Sequence, residues 1–209
     1  LITPRPDLDV VLVAPKGQGQ GVRDAYLAGG GVLALVAVSQ DATGRALETA
    51  LAWAAGLGSH RTAILQTTFR AETETDLFGE QAVLCGGVTA LMTAAFETLT
   101  DAGYPPEMAY TECCHELKLI VDLIHAGGIE YMRRRISTTA RFGDVSRGPR
   151  IIDEHVRRTL QEILNEVRDG RFAREFLTPS SAPRGAPGGS AALEQVGAYV
   201  RNLLLDKAR

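Results

Sequence analysis

The chain has 209 residues, of which 45% are hydrophobic and 22% charged, with a formal net charge of −3. That length allows one large core or two small ones, and that composition belongs to a soluble globular protein. The acidic balance excludes a general nucleic-acid or membrane-surface binder, and no apolar run in the sequence approaches a membrane span. The three cysteines, Cys85, Cys113 and Cys114, are odd in number and lack a CxxC zinc spacing. Reduced thiols in a cytoplasmic compartment are therefore expected, as small buried packing residues. The first residue is Leu and no signal peptide is recognisable, so the chain reads as the continuation of something longer.

Two β-branched runs, 9–14 (DVVLVA) and 32–38 (VLALVAV), flank a Gly-rich turn and a short helical stretch. They predict a β-α-β fragment, the last strands of a parallel sheet that something else completes. The turn GQGQG (17–21) is not a dinucleotide fingerprint, because Val22 stands where G-x-G-x-x-G needs its last glycine. From Asp41 the pattern is helical: 42–58, 74–99 with a break at Gly86-Gly87, 105–127, 129–139, and an amphipathic stretch over 151–177. Beyond residue 40 no strand is expected. Trp53, on the Ala/Leu-rich first of these helices, is expected in the core. TPSSAPRGAPGGS (178–190) reads as a linker, and 191–205 as a final helix.

Two carboxylate pairs stand out. In ETETDLFGEQAVLCGG (72–87), Asp76 and Glu80 are one helical turn apart. With Asp76 at zero, Glu80 lies at roughly 40°, Val83 at roughly 340° and Leu84 at roughly 80°. In TECCHELKLIVDL (111–123), Glu112 and Glu116 likewise share a stripe with Leu119, Ile120 and Leu123. Like charges at i,i+4 repel, and burying them unpaired costs several kcal/mol more unless they protonate or meet a cation. Four inward carboxylates would make a hard, oxygen-rich site suited to two Mg²⁺ or Mn²⁺ ions. The bland alternative is a pair of solvated helix faces. A third reading takes Glu112 and His115 as the Glu-x-x-His of a di-iron bundle, but that architecture needs two copies and the chain has one. His60, His125 and His155 show no ligand spacing. Arg133-Arg134-Arg135 reads as a solvated or interface cluster, with anion binding near Ser137 as the alternative.

TETDLFGEQAVLCGG (73–87) and ECCHELKLIVDLIHAGG (112–128) resemble the two metal-binding helices of ketol-acid reductoisomerase. VAPKG (13–17), ISTTARFGD (136–144), GPRII (148–152) and GRFAREF (170–176) match the same family in order, and the final helix is similar too. The resemblance implies a mainly α protein: the intertwined-dimer helical domain of the short, class I type, behind a β-α-β remnant of a parallel Rossmann sheet. Residues 1–40 would end the Rossmann-like domain, 41–177 would hold metal and substrate, 178–190 would be the linker and 191–209 the C-terminal helix.

The implied activity is a Mg²⁺-dependent alkyl shift in 2-acetolactate or 2-aceto-2-hydroxybutyrate, followed by reduction with NADPH. Asp76 would bridge two metal ions, with Glu80 and Glu112 as further ligands. Glu116 would contact the substrate or the second metal, Ser137 would bind the substrate carboxylate, and Lys16 would support the water network around the metals. Ser137 as a helix cap and Lys16 as a solvated turn lysine are the plainer readings. An obligate homodimer is expected, the Asp76/Glu80 pair of one subunit meeting the Glu112/Glu116 pair of the other. No nucleic acid and no membrane is expected as partner. NADPH would bind through N-terminal sequence outside these residues. The sequence departs from the family at PKGQGQ (15–20), where PKGPGH is usual, and in a shortened segment before the last helix. Those departures favour a second reading, a homologue recruited to specialised metabolism for a different rearrangement such as cyclopropanol formation. A non-catalytic dimerisation module is the third.

Overall fold

The computed structural model describes residues 3–178 and 190–206. The expected linker lies, over 179–189, outside the described residues. Packing divides the chain into two units, Leu1–Leu77 and Phe78–Arg209.

The first unit is built on a three-stranded sheet in the order β1 (Val10–Pro15), β2 (Ala34–Gln40), β3 (Ile64–Gln66). Helix α1 (Gly19–Leu27) joins β1 to β2, so the strand-helix-strand order is as expected. The pairing within it is not. β1 runs antiparallel to β2, with Val13 opposite Val36, and it is β3 that pairs with β2 in parallel, Ala34 opposite Ile64. Alternation of side chains marks a strand but not its direction, and a connection long enough for a crossover helix permits either. β3 was not expected; three residues are too few to show a period.

Helix α2 (Ala46–Gly56) packs on this sheet through Ala46, Ala50 and Ala54, all fully buried. The core they share with Ala34 and Val36 is made of small side chains, flanked by Val11, Val13, Leu47 and Ile64. Helix and sheet therefore lie close together. A bulky indole on the flank of the alanine stripe is pushed outward, and Trp53 is 65% exposed rather than buried. The sheet-bearing unit runs past residue 40, where the sequence pattern turns helical, because α2 and β3 stay with the strands.

α3 (Phe69–Gly79) starts at Thr68, whose hydroxyl accepts from Ala71 N–H at 3.0 Å. It leads without a break into a π-turn (Glu80–Leu84) and then α4 (Gly86–Asp101). The π-turn closes with Cys85 N–H donating to Glu80 C=O at 3.1 Å, five residues back. One 18-residue window of the helix Phe69–Asp101 has a mean hydropathy of 1.5, a candidate membrane span by length and composition only, although Arg70, Glu72, Glu74, Asp76 and Glu80 occupy the first part of the helix. One such window on an uncovered helix is weak grounds for a membrane span.

In the second unit, α5 (Pro106–Tyr110) opens with Pro at its first position, where no N–H is needed. It continues through a second π-turn (Thr111–His115), closed by Glu116 N–H to Thr111 C=O at 3.1 Å, into α6 (Leu117–Arg133). α6 is kinked at Gly128, whose φ of 82° is a left-handed conformation that favours glycine. That is where the sequence divided two helices. α7 (Thr138–Ile151) was not expected, because Gly143, Gly148 and Pro149 read as breakers. α8 (Glu154–Arg168) and α9 (Arg171–Phe176) are separated by Gly170, and α10 (Ser190–Asp206) completes the unit. The core gathers Phe96 of α4, Ala109 and Tyr110 of α5, Cys114 of the second π-turn, and Leu193 and Val200 of α10.

Many apolar side chains of this unit remain outside any core. Val83, Leu84, Leu91, Leu119, Val121 and Ile129 are each at least half exposed.

Candidate metal and substrate site

Lys16 stands just after the last residue of β1, its backbone N–H donating to Leu33 C=O at 2.7 Å. Its Nζ donates to Glu72 Oε1 and to Asp76 Oδ1, both at 2.8 Å. Glu72 and Asp76 are one turn apart on α3, so a single ammonium ties the end of a strand to one face of the helix. Partial burial works against the charged lysine, but the bonds to Asp76 and Glu72 outweigh it and hold its pKa above the ordinary value. Lys16 is thus a fixed cation and not a solvated turn residue.

Glu72 escaped the sequence reading. Its side chain is only 9% exposed, against 44% for Asp76. The signal was present: relative to Asp76 it falls at roughly 320°, on the stripe shared by Asp76 and Glu80. The stripe is a row of three carboxylates, of which the first is buried against Lys16.

Glu80 opens the first π-turn, Glu112 lies within the second, and Glu116 ends it. All three are exposed, and none makes a side-chain hydrogen bond or ion pair with the described residues. A π-turn carries one extra residue, so side chains beyond it rotate by roughly 100° relative to an unbroken α-helix. The angles read from a uniform helix therefore hold up to Glu80 and fail across the turns. Among the described residues no three His, Cys, Asp or Glu side chains converge on one point.

The donor set nonetheless fits a hard divalent cation. Asp76 Oδ1 is committed to Lys16, while Oδ2 accepts no hydrogen bond from the described residues. Glu80, Glu112 and Glu116 each offer a carboxylate with no partner among the described residues, the ligand chemistry of Mg²⁺ or Mn²⁺. Thiolates are soft ligands, which a hard divalent cation does not favour. Burial first, then the nearby Glu112 charge, pushes the Cys113 thiol up, and burial does the same to Cys114. Of the cysteines expected as buried packing residues, Cys114 is one, Cys113 is half-buried and Cys85 is exposed.

Ser137 is the N-cap of α7, its Oγ accepting from Ala140 N–H at 3.1 Å. Its hydroxyl proton remains available to an acceptor. Arg133, four residues earlier, is not a loose cation. It donates from Nε to Asp144 at 2.5 Å and from Nη1 to Glu130 at 2.7 Å, and these bonds raise its pKa while lowering that of Asp144. Arg135 stacks on Tyr131, 3.3 Å from the ring centroid. In the altered turn, Gln18 Oε1 caps α1 by accepting from Gln20 N–H at 2.8 Å, and Gln20 reaches Asp24 at 2.7 Å.

Two family models match the sequence. Residues 69–204 match the C-terminal domain of ketol-acid reductoisomerase, and residues 1–63 match the NADPH-binding domain of acetohydroxy acid isomeroreductase. Among solved structures, an NADH-preferring ketol-acid reductoisomerase from an uncultured archean is 47% identical, with a TM-score of 0.87. The alignment covers 97% of the present chain and 63% of that one, so the chain spans less than two thirds of that relative's length.

Proposed function

The chain belongs to the ketol-acid reductoisomerase family, and from that premise we propose a Mg²⁺-dependent ketol-acid isomeroreductase. The reaction is the alkyl shift of 2-acetolactate or 2-aceto-2-hydroxybutyrate followed by reduction with NADPH. The observation that carries this reading is the Lys16–Glu72–Asp76 contact, which fixes one carboxylate of a row that continues to Glu80.

Asp76, Glu80, Glu112 and Glu116 are the residues that would hold two Mg²⁺ or Mn²⁺ ions. When bound, such cations polarise neighbouring oxygens of the substrate and stabilise negative charge developing there. The protein's own contribution is placement. Lys16 engages one oxygen of Asp76 and leaves the other turned free, so the carboxylate enters the site with its orientation already set. Glu72 in turn holds Lys16, so that its charge is not available to a competing anion. Ser137 uses its oxygen to cap α7 and can give its proton to the substrate carboxylate. Glu116, exposed at the end of its π-turn, would contact the substrate or the second metal. NADPH binding belongs to the Rossmann portion, of which residues 1–63 match a part.

We further propose that the functional unit is a homodimer in the cytoplasm, with the two carboxylate pairs of each site drawn from different subunits. The exposed Val83, Leu84, Leu119 and Val121, beside those carboxylates in sequence, support this: a second copy would cover them. The reading of a homologue with a different rearrangement rests on the PKGQGQ turn and on the shortened segment before the last helix, of which 179–189 lie outside the described residues. Gln18 as the cap of α1 and Gln20 bonded to Asp24 give the turn a local structural role. Asp76→Asn in the full natural protein tests the main proposal. Loss of Mg²⁺ binding by titration calorimetry, together with loss of acetolactate-dependent NADPH oxidation, is expected. Unchanged Mg²⁺ affinity would remove Asp76 from the ligand set.

A further inference from the structure

We propose that α10 is a clamp on the carboxylate-bearing π-turn, with Tyr110 and Arg201 as positioning residues for Glu112; this rests on the reading of Glu112 as a metal ligand. A π-turn replaces the regular α-helical bonding with a wider loop and is rare, so contacts that fix its flanks bear on whether it forms. The turn Thr111–His115 keeps one bond of that kind, from Glu116 N–H to Thr111 C=O. Its own side chains do not explain it: Glu112 has no partner among the described residues, and Thr111 Oγ1 bonds backward to Glu107 C=O at 2.8 Å.

What holds the turn comes from the far end of the sequence. Cys114, inside the turn, and Tyr110, immediately before it, are both at most 8% exposed, in a cluster with Leu193 and Val200 of α10. The Tyr110 ring lies on bare α10 backbone. A Cβ at Gly197 would come within 2.6 Å of its Cε2 and 2.9 Å of its Cζ. The ring's hydroxyl accepts from Arg201 Nη1 at 2.9 Å, a bond between residues 91 positions apart. Arg201 is in turn steadied by Glu194 on its own helix, 3.6 Å from Nη2. Ring, hydroxyl and thiol are thus held from one side, which restrains the backbone of the turn against reverting to an α-helix. Glu112 projects from that restrained backbone, so its position is set by contacts in which it takes no part.

Tyr110→Phe and Arg201→Gln, made in the full natural protein, test this without opening the core: the first removes one hydrogen bond, the second that bond and the ion pair with Glu194. The readouts are amide hydrogen exchange over Cys113–Glu116 and Mg²⁺ affinity by titration calorimetry, with the Mg²⁺ dependence of activity alongside. Both variants are expected to exchange faster in the turn and to bind Mg²⁺ about threefold to tenfold more weakly, the value of one such hydrogen bond. Half-saturating Mg²⁺ should rise while kcat at saturating Mg²⁺ is kept, and Arg201→Lys should recover part of the affinity. Unchanged exchange in the turn overturns the clamp. So does faster exchange with unchanged Mg²⁺ affinity, because the turn would then not position the ligand. Glu112→Gln separates this from a failure of the parent reading: if that variant also binds Mg²⁺ normally, Glu112 is not a ligand at all.

Discussion

Lys16→Met should cost the sheet-bearing unit stability chiefly through Glu72. The lysine makes two bonds of equal length, but their surroundings differ. Asp76, 44% exposed, can recover its lost partner from water, so that half of the contact contributes about 0–1 kcal/mol. Glu72, 9% exposed, cannot, and its half contributes about 1.5–3 kcal/mol, the range for a hydrogen bond to a charged group. A loss of about 2–3 kcal/mol corresponds to a fall in Tm of roughly 4–12 °C at this chain length. The assay is a double-mutant cycle by urea unfolding with Lys16→Met, Glu72→Gln and the pair. Glu72→Gln removes the buried charge, so the double variant should be more stable than the sum of the singles predicts, by about 1–2 kcal/mol. The coupling also has a pH signature. Because the lysine's pKa is raised in the folded protein, its contribution is fully present below the unfolded value near 10.5 and fades as pH rises through the folded one. A coupling below about 0.3 kcal/mol at neutral pH would mean that the two single effects simply add. The view of Lys16 as a fixed cation would then be wrong.

Ser137→Ala should lose about 0.5–2 kcal/mol of stability as a lost helix cap. If the hydroxyl also meets substrate, KM for acetolactate should rise beyond what the capping-competent Ser137→Asp, which repels a carboxylate, can restore. Asp144→Asn should flatten the acid limb of the unfolding profile. The hydrogen bond from Arg133 holds this carboxyl below its usual range, so its contribution is present above the unfolded pKa and lost as pH falls through the folded one. Sedimentation of the full natural protein should give a dimer down to low micromolar concentration, and a compact monomer there would contradict a shared site.

How far the sequence could be read depended on whether a feature leaves a periodic trace. The stripes of Asp76 with Val83 and of Glu112 with Leu119 stood out because a charge beside an apolar side chain at helical spacing is costly, but the π-turns break both of them. Glu72 obeys the same spacing, but its meaning depends on Lys16, 56 residues earlier, which no local pattern can supply. The π-turns could not be seen at all, since the uniform angle that revealed the stripes is the quantity they change. Trp53 was misjudged because hydrophobicity argues for burial, whereas the three alanines beside it set a helix-to-sheet distance that excludes an indole. α7 hid behind Gly143, Gly148 and Pro149. These lower intrinsic propensity, but capping by Ser137 at one end offsets them.

The apolar run Phe69–Asp101 has a consequence for how the chain is made. Only 6% of its most apolar window is buried within a single copy. A newly synthesised chain therefore exposes the apolar part of this helix until another molecule meets it. In the proposed homodimer, pairing with a like chain would protect that surface, whereas collisions with anything else risk aggregation, so the outcome would depend on how many copies are present together. Slow, dilute synthesis should leave this protein dependent on chaperones, and lowering its concentration during refolding, the usual remedy for aggregation, should reduce the yield once dilution outpaces encounter.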